Sequence, residues 1–434
     1  MLRANEIKNS NYVGKQVTIR GWVYRLRKQK ENAFVLIRDD RGGVIQSVFP
    51  LKTAAHLTRE SSVEVSGTVQ HDTRAPEGGY EIKGKEIRTF NIADNGFPIG
   101  EYQSVDLLLD NRHLALRSRR MVEIAKIRNS VLKFARDWFV KNDWMEITPP
   151  TIVKAAVEGG STLFKVKYFD EYAYLSQSAQ LYLEAMIFCL GPVWSLTSSF
   201  RAEKSRTIRH LAEFSHLEAE APWVELEDIL KIQEELISYV VQSTLNERSD
   251  SFKILNRDTS DLKRVQVPFK RLTYEKAIEV LKSKGVQVTD PGGEKRIIKS
   301  GDDLNIDSER ELTRDRAEPV FVIGYPIEVK PFYVKEDPHH NGSGLAADLI
   351  APEGFGELSS GGEREDDIVS IKNKMEKEGL DPECYGWYLD LRKYGSVPHG
   401  GFGLGVERLV RWIVKADDIK DTVLFPRTMS RVAP

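Results

Sequence analysis

The stretch FRAEKSRTIRHLAEF, residues 200–214, puts seven chargeable side chains into fifteen positions, and hydrophobic segments flank it on both sides. A charge run by itself is usually a solvated face. Here the neighbouring periodicity argues otherwise. VWSLTSSFRAE reads as a strand on which Arg201 and Glu203 share a face by the two-residue period, KSRTI reads as the hairpin loop, and RHLAEFSHLEAEA as the return strand. On that return strand His210, Phe214, His216, Glu218 and Glu220 fall on one face, while Leu211, Ser215, Leu217 and Ala219 alternate onto the other. The second face packs a core. The first collects ionisable groups around a single aromatic ring. A wet outer face would leave Phe214 unexplained; a cleft for a polyanion and a flat heterocycle accounts for ring and charge together.

The rest of the composition bounds this reading. A chain of 434 residues exceeds one typical domain, so two are expected, one of them large. With 41% hydrophobic and 29% charged residues it has the make-up of an ordinary globular protein, without low-complexity tracts. A net charge of -2 excludes a wholly basic nucleic-acid coat, so any polyanion site is a local patch. Cys189 and Cys384 are the two cysteines, far apart, which gives neither a disulfide framework nor a zinc site and suits a reducing cytosol. The start, MLRANEIKNS, is too polar for a signal peptide and no apolar run approaches bilayer length, so a cytoplasmic protein without a membrane segment is expected.

Residues 15–90 read as β structure. KQVTIRGWVYRLR, FVLIRDD and VIQSVF are three strands, LKTAAHLTRE is a short helical stretch, and SSVEVSGTVQ and YEIKGKEIRTF are two more strands. That order is an OB-fold barrel, whose second and third strands often bind single-stranded oligonucleotides. Residues 15–41 carry eight Lys or Arg against three acids, with Trp22, Tyr24 and Phe34 interleaved. Cations track phosphates and exposed rings stack bases. The alternative is that the rings are barrel core, and for Trp22 and Phe34 the pattern leaves both open. The expected division is a barrel domain over 1–100, a linker without sustained period over 101–120, and the large domain over 121–434.

The large domain opens on a long amphipathic helix with Val122, Ala125, Val131, Phe134, Ala135, Trp138 and Phe139 as its apolar stripe, then a strand running into Pro149 and Pro150. Near the end, HGGFGLGVERLVRWIV puts Val406, Leu409, Val410, Ile413 and Val414 on one buried helix face, behind a loop holding Gly400, Gly401, Gly403 and Gly405. Glycines allow close approach of a ligand, and a helix N-terminus favours an anion. Arg408, off the stripe in the first turn, is positioned to meet a phosphate.

In this order the three patterns resemble the signature motifs of class II aminoacyl-tRNA synthetases: the helix and strand ending at Pro149 resemble motif 1, FRAE with RHLAEF motif 2, and GFGLGVERL motif 3. The barrel is similar to the anticodon-binding domain of the aspartyl, asparaginyl and lysyl subgroup. The resemblance implies an α+β fold, an antiparallel sheet flanked by helices. It implies ATP as a substrate, with Arg201 on the α-phosphate, Glu203 and Phe214 at the adenine, and Arg209, His210, Gly405 and Arg408 completing the site. Arg201, Arg408 and Glu357 would be its catalytic residues. GELSSGGER resembles the Mg²⁺ segment, implying Glu357 and Ser360 as ligands with Asp348 as a third. VEGG and SQSAQLYLE match the amino-acid pocket, implying Glu158, Ser178, Gln180, Glu218 and Arg364; Ser178 is equally a helix cap. In the barrel, Phe34 would stack on the central anticodon base, Gln46 would hydrogen-bond it and Arg25 would lie nearby. Motif 1 implies a homodimer.

Within the subgroup the reading turns on a few side chains. Aspartyl enzymes carry QSPQLYK, whose Lys pairs with the substrate β-carboxylate; this chain has Leu183 there, which leaves a buried anion poorly compensated. Glu218 replaces an Asp of those enzymes and suits a carboxamide NH2 over a second carboxylate. Arg364 fits either substrate. The expected activity is the ATP-dependent activation of L-asparagine and its transfer to tRNA(Asn). The alternatives are aspartate activation, including an enzyme charging both tRNAs, and a tRNA-binding paralogue without catalysis. Residues 245–320 are read as a helix, a turn and another helix, with no function.

Overall fold

A computed structural model describes residues 2–76, 78–100, 103–154, 157, 162–204, 207–290 and 293–434. The chain forms two compact units, Met1–Val122 and Glu123–Ala433, the division falling within the helix Arg119–Lys141.

In the first unit β1 (Gln16–Lys28), β2 (Asn32–Arg38), β3 (Val44–Pro50), β4 (Ser62–His71) and β5 (Tyr80–Asn91) close into a barrel in the order β1-β2-β3-β5-β4. Strict alternation builds it. Val17, Ile19 and Val23 of β1 point inward with Val35, Ile37, Ile45, Phe49, Val65 and Ile82. Each such side chain contributes about 1.5–3 kcal/mol of burial. Gly84 is required where β5 crosses Phe49, since a Cβ there would lie 2.2 Å from the ring. Trp22 lies outside the barrel core, 37% exposed, with the Arg38 guanidinium 5.5 Å from its ring. The stretch read as linker carries two short helices in its described part, Val105–Asp110 and Arg112–Ala115, and clusters with the barrel.

The second unit contains β6 (Met145–Glu146), β7 (Ile152–Val153), β8 (Lys165–Tyr168), β9 (Glu171–Leu175), β10 (Val193–Phe200), β11 (Glu213–Pro222), β12 (Lys270–Thr273), β13 (Gln287–Thr289), β14 (Lys295–Ile297), β15 (Val320–Ile323), β16 (Ala346–Ala351), β17 (Gly356–Glu363) and β18 (His399–Gly405). Its main sheet has eight strands in the order β12-β15-β16-β17-β18-β11-β10-β6, antiparallel in the middle with a parallel pair at each edge. Small sheets β7-β9-β8 and β13-β14 flank it. Helix Arg119–Lys141 buries Ile124, Ile127, Val131, Ala135, Trp138 and Phe139, and the Phe139 ring stacks on Trp194 of β10 at 4.5 Å. Its stripe is thus offset from the expected one: Val122, Ala125 and Phe134 are only partly buried. Among the described residues no helix is long and apolar enough to cross a membrane.

Two local expectations are corrected. The return strand begins at Glu213, not Arg209, so His210 lies off the ladder. Arg209 is held there by Glu309 and His210 faces Glu203, while the Ala212 N–H is given to the Arg427 carbonyl. The glycine-rich stretch before residue 406 is a strand, β18, rather than a loop. Its glycines clear room for the neighbouring strand's side chains: a Cβ on Gly401 would fall 2.4 Å from Cδ of Glu220, and one on Gly403 2.5 Å from Nε2 of His216.

Candidate active site

Alternation along β11 sends Leu217 and Ala219 into the core and leaves Phe214, His216, Glu218 and Glu220 facing a cleft. The cleft has two adjoining cavities that share Arg201, His216, Glu357 and Gly403 in their walls.

The smaller, about 70 Å³, is lined by the residues expected to take a nucleotide: Arg201, Glu203, Arg209, His210, Phe214, Glu357, Gly405 and Arg408 all border it. The Arg201 guanidinium lies 5.5 Å from the Phe214 ring centroid. Arg408 donates from Nη1 to Oε1 of Glu357 at 2.8 Å. It is aimed by its own helix, Val406–Val414, whose five expected apolar positions are all buried. Next to it, Glu407 locks that helix in place by accepting from Arg128 at 2.7 Å and from the Ser215 N–H at 3.0 Å. Arg209 is buried and bound to Glu309 at 3.0 Å, and the same Glu309 oxygen accepts the Glu357 N–H at 2.9 Å. His210 faces Glu203 at 3.3 Å. Burial pushes its pKa down, Glu203 opposes, and Arg408, Arg209 and Arg201 push it further down. Burial resists ionisation of Glu357, yet Arg408, Arg209, Arg201 and Lys330 together hold its carboxyl below the usual range. Arg201, Arg209 and Arg408 thus converge on this part of the cleft beside Glu203, Glu357 and Glu407.

The larger cavity, about 330 Å³, is bordered by Ser178, Gln180, Glu218, Asp348, Ser360 and Arg364. Glu158 lies outside the described residues. Glu218 sits at the start of the helix Gln180–Leu190, where its oxygens accept the Ala179 N–H at 3.0 and 2.9 Å, the Ser178 hydroxyl, and His216 Nδ1 at 3.2 Å. Burial opposes its charge, and His216, Ser178 and Ala179 outweigh burial and hold it ionised. Its hydrogen-bonding capacity is therefore largely engaged within the protein, and Ser178 acts in the capping network as well as the wall. Gln180 donates its Nε2 to Glu184 at 3.0 Å; the carboxylate fixes the amide's orientation. Arg364 is buried and forks onto Glu220, Nη2 to Oε1 at 2.5 Å. Leu183 borders neither cavity and is fully buried in an apolar cluster with Ala179, Ile187 and Val193.

Sequence reasoning missed several wall residues. Asp303 and Glu309 come from the segment read without function, which folds as β12, the helix Tyr274–Ser283, the β13–β14 ribbon and the helix Ile306–Thr313. Lys330 binds Asp348 at 2.7 Å, and Ser360, the cross-strand partner of Asp348, donates to its other oxygen at 2.6 Å. Behind the cavity lies a fully buried network in which Glu184 accepts from Arg392 at 2.6 Å, Tyr388 at 2.8 Å and His399 at 3.1 Å. No signal in the sequence pointed to it, because the partners of Glu184 lie about two hundred positions further along the chain.

In the first unit a groove of about 1330 Å³ is walled by nine Lys and Arg side chains against the single acid Glu60. Arg25, Phe34 and Gln46 all border it. Phe34 is part-exposed under the Arg27 guanidinium, 4.7 Å from its centroid. Gln46 is more buried than expected, its Nε2 donating to Glu81 at 2.6 Å.

Comparison with known proteins identifies the family of each part of the chain. Residues 104–429 match the family model described as tRNA synthetases class II (D, K and N), and residues 17–90 match the OB-fold nucleic acid binding domain. The asparagine–tRNA ligase of Pyrococcus furiosus is 50% identical, covering 97% of this chain and 96% of that protein. That of Thermoplasma acidophilum is 43% identical over all of both chains. The asparaginyl-tRNA synthetase of Pyrococcus horikoshii, solved with asparaginyl-adenylate, superposes with a TM-score of 0.93 at 48% identity, covering 100% of this chain and 99% of that one. The charged hairpin, the glycine-cleared strand beside it and a family match spanning most of the chain lead to one conclusion: this chain belongs to the class II aminoacyl-tRNA synthetases, among the asparagine–tRNA ligases.

Proposed function

We propose that this chain activates L-asparagine with ATP, forming asparaginyl-adenylate and pyrophosphate, and then transfers the asparaginyl group to the terminal ribose of tRNA(Asn). The observation that carries the reading is the pair of adjoining cavities meeting at Arg201. One sets three arginines and an aromatic ring in its wall; the other, the larger, is polar and carries the buried Arg364–Glu220 pair.

In this mechanism the adenine lies on Phe214 beside Glu203, and the triphosphate runs past Arg201 toward His210 and Arg408. The asparagine carboxylate attacks the α-phosphate in line, across the shared wall. Arg201 stabilises charge developing on that phosphate, and Arg408 draws off the pyrophosphate; the work is positioning and electrostatics, without a general base. Ser178 and Gln180 position the amino-acid backbone and Arg364 donates to the carboxamide oxygen. Leu183, deep in its apolar cluster, offers no cation to a side-chain carboxylate, which disfavours aspartate.

The donors present fit magnesium. Among the described residues no three His, Cys, Asp or Glu form a ready metal cage, and Mg²⁺ on nucleotides needs only one or two carboxylates beside the phosphates. Glu357 and Ser360 would hold it, with Asp348 behind; when bound it would neutralise phosphate charge. The basic groove supports anticodon binding by Phe34, Gln46 and Arg25. We further infer a homodimer, with Val140 and Met145 exposed at 72% and 49% at the end of the first long helix and the strand after it, and a cytoplasmic protein whose two cysteines stay reduced.

The test is amino-acid-dependent ATP–pyrophosphate exchange with asparagine and aspartate in parallel. Asparagine is expected to support exchange and aspartate barely to do so; equal rates would refute the assignment.

A further inference from the structure

Each carboxylate that would face a metal already carries a cation. Asp348 has Lys330 at 2.7 Å on one oxygen and Ser360 at 2.6 Å on the other; Glu357 has Arg408 at 2.8 Å. Lys330 is not a surface side chain that happens to reach in. It is 9% exposed, and its ammonium sits 3.7 Å from the centroid of the buried Tyr325 ring. It borders the same cavity as Asp303, Asp348, Glu357 and Ser360. We infer that Lys330 is the resident counter-ion of the metal-binding carboxylates, holding Asp348 in the free protein so that a divalent cation enters with the nucleotide and not before it.

The argument is electrostatic. A bare divalent ion approaching Glu357 and Ser360 meets Lys330 in the larger cavity and Arg408 in the adjoining one, each already paired with a carboxylate the ion would need, and like charges repel when water is scarce. It would also have to take over an oxygen of Asp348 that an ammonium already neutralises. A triphosphate reverses the balance. Its oxygens compete for Arg408, which loosens the hold on Glu357, and its own negative charge compensates the incoming ion. Lys330 then keeps a second carboxylate within the same cavity, Asp303, toward which it can turn if Asp348 rotates to the metal. The inference rests on the reading of this cleft as a magnesium–nucleotide site.

The test uses Mn²⁺ with the full chain, read by water-proton relaxation, with and without α,β-methylene-ATP. The wild type is expected to show a protein-bound Mn²⁺ signal only with the nucleotide. Lys330→Met, which leaves Asp348 without its cation, is expected to bind Mn²⁺ without nucleotide at least tenfold more tightly than wild type, while Lys330→Arg behaves as wild type. If Lys330→Met is too unstable for titration, Mn²⁺ alone is expected to raise its melting temperature and not that of the wild type. Equal nucleotide-free Mn²⁺ affinity in wild type and Lys330→Met overturns the counter-ion role. Absence of any ternary signal in the wild type overturns the magnesium–nucleotide reading itself, so the two failures are distinguishable.

Discussion

Glu184→Gln removes one negative charge from a place with no exposed surface. Glu184 is the common acceptor for Gln180, Tyr388, Arg392 and His399, and both Glu184 and Arg392 have side-chain exposures of 0%. The substitution keeps the shape but leaves the Arg392 guanidinium buried without an anion, a loss of about 3–5 kcal/mol. A unit the size of residues 123–433 unfolds with an entropy of about 0.65 kcal/mol per kelvin, so the melting temperature should fall by about 5–8 °C. Burial opposes ionisation of Glu184, but Arg392 and His399 outweigh it and hold the carboxyl well below the usual range. A depressed carboxylate contributes stability above its unfolded pKa and loses it only as pH falls through the folded one, so the difference from wild type should be constant across neutral pH. Function should separate too. Gln180 loses its anchor, and one weakened hydrogen bond at the amino-acid wall should raise the KM for asparagine about tenfold. No member of the network borders the nucleotide cavity, so the KM for ATP should hold. Melts at fixed scan rate and pyrophosphate exchange at varied asparagine and ATP check both. A melt within about 1 °C of wild type, or an ATP KM that moves as far as that for asparagine, would refute the reasoning.

Gly401→Ala would bring a Cβ to 2.0 Å from the Ala219 carbonyl oxygen as well as onto Glu220. Because backbone cannot yield, β18 should shift and disturb the Arg364–Glu220 pair, costing about 1–3 kcal/mol of stability and most of the exchange activity; wild-type exchange would mean the strand does not need that clearance. His210 is held neutral by burial and three arginines against the pull of Glu203. A lowered His pKa means the free protein is fully stabilised above the ordinary pKa of about 6.5 and loses that contribution as pH falls through the depressed value. ATP phosphates would raise it, so nucleotide binding near pH 6 should take up a proton. Calorimetry in buffers of different ionisation enthalpy measures the uptake, which His210→Ala should abolish. In the basic groove, Arg27→Ala should weaken tRNA binding and reduce the slope of log K against log salt by about 0.7–0.9; an unchanged slope would remove Arg27 from the phosphate path.

What could be read from the chain alone was whatever local geometry repeats. A two-residue period places Phe214, His216, Glu218 and Glu220 on one face wherever the strand lies, and an apolar stripe fixes which side of the helix after Gly405 is buried, leaving Arg408 to the cleft. The barrel order followed from alternation and turn residues in the same way. The glycines of HGGFGLG were visible, but not their purpose, because clearance depends on side chains of a strand nearly two hundred positions earlier. Likewise Trp22 could be core or surface until the closed barrel chose which face of β1 turned inward.

Alternation, helix periodicity and the types of residue along the motifs therefore determined the barrel, the buried helix face after Gly405 and the cleft-facing strand. Tertiary structure alone decided which charges neutralise one another. Asp348 finds Lys330, Arg209 finds Glu309, and Glu184 finds Arg392 across 208 positions of chain. The reason is physical: a buried charge selects its partner by distance in space and by the loss of water around both, and neither quantity is written in the spacing of residues along the chain.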